Sequence, residues 1–476
     1  MMRLIICFIA LLRFSFPAAA GPAAERYASF EGKAPGYAGE EMIFYRYTDM
    51  ISFSEEEIFR LPVDGNGEFS VRFPAGDEPE KVFSHAGRYF IYLYVEAGND
   101  YSVILPPKTE KAPHEKLNPY FKGIPTHIAV LNQDSTELNS LIRKFDDMYE
   151  LLLHGSLAGM AGDESRSYID SVSAQMDMHF AGAHNPWFDD YRKYKMARLE
   201  SLTRITAARG LSDSWFRDLP VLYGNNAYME LFNHVYDRYF LFFSRTVRGS
   251  RIFDDINRRR SLSALMSTLQ TDTVLGCGRL LEFVVLKGIH DAFYGSDFSR
   301  SGMLAVLDSL AAQTIYPEHL RIAGHIREKV TRLLPGFDPP GFRLTGRDGR
   351  IRELSDFRGY YVYLNFCTAA SYSCMSEYQI LDRLDADHGD YLKIVTVYID
   401  ENYQSMLDFL EKSDYGWEFL FYGDQPGILR DYDVRMFPGY YLIDRDGKML
   451  MAPAPSPAED FELYLFRTMR SRGELR

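Results

Sequence analysis

At 476 residues, with 46% hydrophobic and 25% charged residues, the chain has the make-up of folded protein and the length of roughly three domains. A net charge of −13 excludes the concentrated positive field that nucleic-acid binding needs, and the run Arg258-Arg259-Arg260 reads as a solvated face. Four cysteines are too few for a disulfide scaffold in a chain this long, and none has zinc-ligand spacing.

The chain opens MMRLIICFIALLRFSFPAAAGPAAE. Arg3, the apolar residues 4–12 and Ala18-Ala19-Ala20 predict a signal peptide over residues 1–20, cleaved after Ala20. The apolar run is far short of the about 20 residues of a membrane-spanning helix, and no later stretch qualifies. Cys7 lies inside the run and not beside the cleavage site, which argues against a lipid anchor. The expected destination is the periplasm or cell envelope, with no transmembrane segment in the mature chain.

Residues 27–106 predict a β-rich, sandwich-like domain of antiparallel strands. EEMIFYRYTDM is aromatic and partly alternating. EIFRLPVDGNGEFSVRF holds two runs joined by Asp64-Gly65-Asn66-Gly67, which predicts a hairpin because Gly and Asn accept the positive φ of tight turns. RYFIYLYVEAGNDYSVILPP adds two more runs around Gly98-Asn99-Asp100. Residues 106–125, rich in Pro and Lys, read as a linker. From 128 to 334 apolar residues recur at three- and four-residue intervals, as in LNSLIRKFDDMYELLL, and predict an all-α domain. His179 and His184 miss the i, i+4 spacing of a helical metal site. Cys277, beside the apolar run LLEFVVL, reads as a buried structural thiol.

After the break at Pro335 to Gly341, residues 336–476 alternate strand and helix. FRLTGRDGRIREL is a predicted hairpin, YYVYLNF a buried strand, MSEYQILDRL a helix and LKIVTVYID a second buried strand. YQSMLDFLEKS is a helix, GYYLIDRDGKML a second hairpin and AEDFELYLFRTMRS a closing helix. The pattern predicts an α/β sheet covered on both faces.

This domain resembles the thioredoxin-like domain of the TlpA-like thiol–disulfide oxidoreductases, close to the alkyl hydroperoxide reductase/thiol-specific antioxidant group. The likeness is carried by Phe342-Arg-Leu-Thr, Leu354-Ser-Asp-Phe-Arg-Gly359, Val362-Tyr-Leu-Asn-Phe366, Val395-Thr-Val-Tyr-Ile-Asp400, Phe437-Pro438 and Leu442-Ile-Asp-Arg-Asp-Gly447. The arrangement of β-rich, helical and thioredoxin-like parts also looks like multi-domain envelope proteins of Gram-negative bacteria.

The resemblance implies a strand followed by Cys-x-x-Cys at the start of a helix. Here Cys374 holds the second place, Ser371 stands in the place of the nucleophilic first cysteine, and Cys367 stands where the family has Trp. A serine hydroxyl forms no mixed disulfide, so the ordinary exchange cycle lacks its first step. The spacing leaves open whether Cys367 and Cys374 come within the about 7 Å between Cα atoms that a disulfide spans. Pro438, after Phe437, matches the family's cis-proline, which positions substrate backbone. Glu377 matches an acidic residue near the thiols, and Gln379 replaces a helix-kinking proline. Tyr372, Tyr378, Phe437, Tyr440 and Tyr441 read either as a peptide-binding rim or as sheet packing.

Three readings follow. The first is an exported relative of the oxidoreductases with weak or lost disulfide exchange, acting through Cys374, Cys367, Ser371 and Glu377. The second is a non-catalytic protein that binds peptide through Tyr372, Phe437 and Pro438. The third is a peroxiredoxin-like peroxidase, since Ser371-x-x-Cys374 is in that register, although Cys367 takes its proline position and Pro438 its arginine position. Protein or peptide thiols and disulfides are the expected partners, with no cofactor and no metal.

Overall fold

The computed structural model describes residues 26–475 except 117, 119, 133, 156–162, 203–206, 277, 401 and 424. The expected signal peptide with Cys7, and the expected buried thiol Cys277, lie outside the described residues.

The first region has strands β1 (Tyr27–Lys33), β2 (Glu41–Tyr47), β3 (Glu55–Pro62), β4 (Glu68–Pro74), β5 (Glu80–Ala86), β6 (Tyr89–Val95), β7 (Asp100–Ile104), β8 (Ile124–His127) and β9 (Ala129–Val130). They form a four-stranded sheet, β4-β1-β7-β9, and a five-stranded sheet, β3-β2-β5-β6-β8. Both sheets face one core, in which Phe30 meets Phe44, Phe59, Phe73 and Tyr101 edge-on at ring-centroid distances of 4.9 to 5.9 Å. Edge-to-face contact suits the aromatic quadrupole, so one ring organises the centre. Neither sheet is wholly antiparallel, because β1 pairs with β7, and β6 with β8, in parallel.

The turn at Asp64–Gly67 forms, but it does not make the expected hairpin. Asp64 accepts from the backbone N–H groups of Asn66 and Glu68, and Gly67 takes φ +80°. A Cβ at Gly67 would lie 2.6 Å from Pro35 Cα, so the position tolerates only glycine. The chain arrives on β3 in one sheet and leaves on β4 in the other. The expected linker also returns to the sheets: Ile124–His127 pairs with β6.

Helices from Leu138–Gly155 to Pro317–Thr331 share a second core. Its axis is Arg279–Ala292, buried along nearly its whole length. Asn225, Ser261 and Ser299 cap helices by accepting from backbone N–H groups. Asn139 fastens this region to β6, its side-chain amide exchanging two 2.8 Å hydrogen bonds with the Tyr94 backbone.

The last region has β10 (Arg343–Gly346), β11 (Ile351–Glu353), β12 (Tyr361–Cys367), β13 (Leu392–Tyr398), β14 (Glu418–Phe421), β15 (Gly439–Ile443) and β16 (Met449–Met451). They form one seven-stranded sheet in the order β11-β10-β14-β13-β12-β15-β16. β12 is an interior strand, parallel to β13 and antiparallel to β15. The helices Tyr372–His388, Tyr403–Ser413 and Phe461–Ser471 contribute to the core on one face, and Pro426–Asp431 to the core on the other. Both predicted Asp-Gly hairpins form, β10–β11 and β15–β16.

Candidate functional site

Every residue of β12 is buried. A strand sends alternate side chains to opposite faces. Tyr361, Tyr363 and Cys367 enter one core, and Val362, Leu364 and Phe366 enter the other. The helix Tyr372–His388 packs Cys374, Tyr378, Leu381 and Leu384 into the first core, at the spacing that keeps them on one helical face. Cys367 therefore ends its strand facing the helix that Cys374 enters. Both cysteines are free and 0% exposed, and each shifts the ionisation of the other.

The two sulfurs are electrostatically unequal. Burial pushes the Cys367 thiol well up, and its bond to Cys374 adds to the effect. At Cys374 the hydrogen bond from Cys367 holds the pKa below the ordinary thiol value. Burial opposes this, while the Thr368 backbone N–H and the Ser371 hydroxyl support it. The buried Tyr378 hydroxyl has no hydrogen-bond partner among the described residues, and its presence opposes the rise at Cys367. Glu377, half-buried, accepts a short hydrogen bond from the Tyr440 hydroxyl, and its charge disfavours ionisation of either thiol.

Ser371 is the N-cap of the helix. Its Oγ accepts from the Cys374 backbone N–H at 3.4 Å and donates to the Phe437 carbonyl at 3.3 Å. The Phe437–Pro438 bond is cis. One hydroxyl thus joins the helix start to the proline loop. Around it the surface shows Ala369, Ala370, Met436 and Tyr372, the last 87% exposed, and no cysteine sulfur. The aromatic residues divide: Tyr378, Tyr440 and Tyr441 are buried, Phe437 is half-buried, and Tyr372 alone projects. Arg435 pairs with Asp433 at the surface.

Residues 335–451 match the model of the AhpC/TSA family. The thiol-disulfide oxidoreductase ResA of Geobacillus kaustophilus is 30% identical over 169 residues, 35% of this chain and 92% of that protein. ResA of Bacillus subtilis is 29% identical over 154 residues, 32% of this chain and 82% of that one. The chain belongs to this thioredoxin-like superfamily through its C-terminal domain. Among solved structures, the thioredoxin domain of a thiol-disulfide oxidoreductase from Bacteroides vulgatus is 22% identical, with TM-score 0.27, covering 28% of this chain and 98% of that one. A thiol:disulfide interchange protein from a Bacteroides species is also 22% identical, with TM-score 0.27, covering 29% and 90%.

Ser371 caps the helix that holds Cys374, and Cys367 ends the strand before it. Sequence spacing missed that Cys367 faces Cys374, although the period-two pattern of YVYLNFC carries that signal. It also missed Tyr363 and Tyr398, both buried in the core that holds the thiols. No cluster of three or more metal-ligating side chains occurs among the described residues. No helix among them is long and apolar enough to cross a membrane. A cleft of about 1040 Å³ opens between the five-stranded sheet, the helix Pro317–Thr331 and the C-terminal domain, and neither thiol lines it.

Proposed function

We propose that the chain is an exported envelope protein whose thioredoxin-like domain binds polypeptide and has weak or lost disulfide exchange with it. One observation carries this reading: the place of the attacking cysteine is held by Ser371, and both thiols are 0% exposed. Exchange between proteins requires a thiolate to reach a disulfide sulfur and form a mixed disulfide. Neither Cys367 nor Cys374 presents a sulfur to a partner of that size. What stays at the surface is a groove edge of Tyr372, Met436 and half-buried Phe437 and Pro438, next to backbone that an extended peptide can meet. The signal-peptide pattern of residues 1–20 supports export.

Reduction of insulin disulfides by the full chain with dithiothreitol tests the reading. The wild type is expected to stay at the uncatalysed rate. Ser371→Cys, which places a thiol on the helix N-terminus three residues before Cys374, is expected to raise the rate at least about tenfold, because the N-terminal dipole favours a thiolate there. Wild-type turnover that disappears in Cys374→Ala would overturn the proposal.

A further inference from the structure

Residues 238–251 of the helical region run RYFLFFSRTVRGSR, four arginines and no acid in a chain of net charge −13. The helix Tyr239–Ser244 buries Phe240 and Phe243 and turns Phe242, 48% exposed, to the outside. The guanidinium groups of Arg238 and Arg245 flank that ring, 5.2 and 5.9 Å from its centroid. A tight turn follows, in which Thr246 Oγ1 donates to the Phe243 carbonyl and accepts from the Gly249 N–H. A Cβ at Gly249 would lie 2.2 Å from the Phe243 carbonyl oxygen, so the turn is clamped on the helix end. Its tip residue, Val247, is 94% exposed, and Arg248 and Arg251 are exposed just after it. Among the described residues no carboxylate pairs with Arg245, Arg248 or Arg251. The neighbouring acids are held by other cations: Asp237 by Arg238, Asp272 by Arg209 and Asp291 by Lys287. Arg258 and Arg259, by contrast, pair with Asp254, which partly neutralises the three-arginine run.

We propose that this face rests on an anionic membrane surface. Phe242 and Val247 enter the boundary between headgroups and acyl chains, and Arg245, Arg248 and Arg251 meet lipid phosphates. The chemistry fits at both levels. A guanidinium presents paired N–H donors to phosphate oxygens, and each basic side chain at an anionic surface adds to the attraction. Apolar side chains among them sink into the boundary as on an interfacial helix. An acidic protein would also pair with the arginines, but it would need a pocket shaped for a valine at the tip of a turn. A bilayer accepts that side chain without one. The negative charge of the rest of the chain does not prevent contact, because at about 0.1 M salt charges beyond about 10 Å are screened and the local arginines decide. The inference takes export from the proposed function and nothing from its reading of the thiols or the groove. It makes the chain, once its apolar leader is removed, a peripheral membrane protein held by its helical region.

Co-sedimentation with lipid vesicles tests this, using the chain from Gly21 because the apolar leader would itself enter lipid. Vesicles of phosphatidylcholine and phosphatidylglycerol in equal parts are compared with vesicles of phosphatidylcholine alone. Binding is expected to the mixed vesicles only, and to be lost in about 1 M salt, where the screening length is about 3 Å. Arg245→Glu combined with Arg248→Glu is expected to lower the partition coefficient at least about tenfold. Val247→Asp, which leaves every arginine in place, is expected to lower it as well. Arg343→Glu combined with Arg350→Glu makes the same charge change at exposed positions of the C-terminal domain and is expected to leave binding intact. Circular dichroism melting checks that each variant folds. No binding to the mixed vesicles, equal binding to phosphatidylcholine alone, or an equal loss in both double variants would overturn the proposal. Insulin reduction by the wild type would overturn the reading of the groove and leave this result standing.

Discussion

Ser371 holds two parts of the site together with one oxygen, the helix start through the Cys374 N–H and the proline loop through the Phe437 carbonyl. Ser371→Ala removes both, and loss of a serine cap typically costs about 1 kcal/mol. Equilibrium denaturation is expected to show that loss. Insulin reduction is expected to stay at background, because the hydroxyl has a structural role and takes no part in exchange. The thiols beneath it respond to pH in opposite senses. Cys374 is held down, so its contribution to stability is present above the ordinary thiol value and is lost as pH falls through its folded value. Cys367 is pushed up, so folding is disfavoured once pH exceeds the ordinary thiol value and the unfolded chain ionises more readily.

At the scale of elements, the Asp-Gly turns at 348–349 and 446–447 were legible because each joins strands that pair with each other. The Asp64–Gly67 turn has the same chemistry and a different outcome. Turn residues fix a local reversal, not the sheet that the next strand joins, and β4 finds β1 across the core. β8 was hidden in a stretch rich in Pro and Lys, since its pairing to β6 reaches back along the chain. Helices in the middle region were legible from periodicity, which is a local property. At the candidate site the start of a helix at Cys374 was legible, Ser371 being its N-cap, and the Phe437–Pro438 bond is cis as the resemblance implied. The shared core of Cys367 and Cys374 was not legible, because counting residues through a turn ignores which face of a strand and which face of a helix the two side chains take.

At the scale of the whole molecule, three regions are fastened by polar side chains at one junction. Arg430 reaches Glu55 of β3 at 2.7 Å, Arg332 reaches Asp431 at 2.6 Å, and His325 meets Asp49 at 2.9 Å. Burial raises the Glu55 carboxyl, but His85 and Arg430 outweigh it and hold its pKa below the usual carboxylate value. The stabilisation from Glu55 is therefore present above the ordinary carboxylate pKa and is lost as pH falls through the folded value. Scanning calorimetry is expected to show the C-terminal domain melting apart from the rest on acidification. Arg430→Ala is expected to produce part of that separation at neutral pH, with a cost no greater than about 1 kcal/mol for a half-exposed partner. A single transition unchanged by acid or by Arg430→Ala would count against the junction.

The account as a whole turns on whether any thiol of the C-terminal domain is available to a protein-sized or aromatic disulfide. Titration of the native full chain, in a Cys7→Ser and Cys277→Ser background, with a chromogenic aromatic disulfide measures this directly. The structure predicts no release of chromophore from the native chain and two equivalents once it is denatured, one each from Cys367 and Cys374. Rapid release of one equivalent from the native chain, abolished by Cys374→Ser, would contradict it.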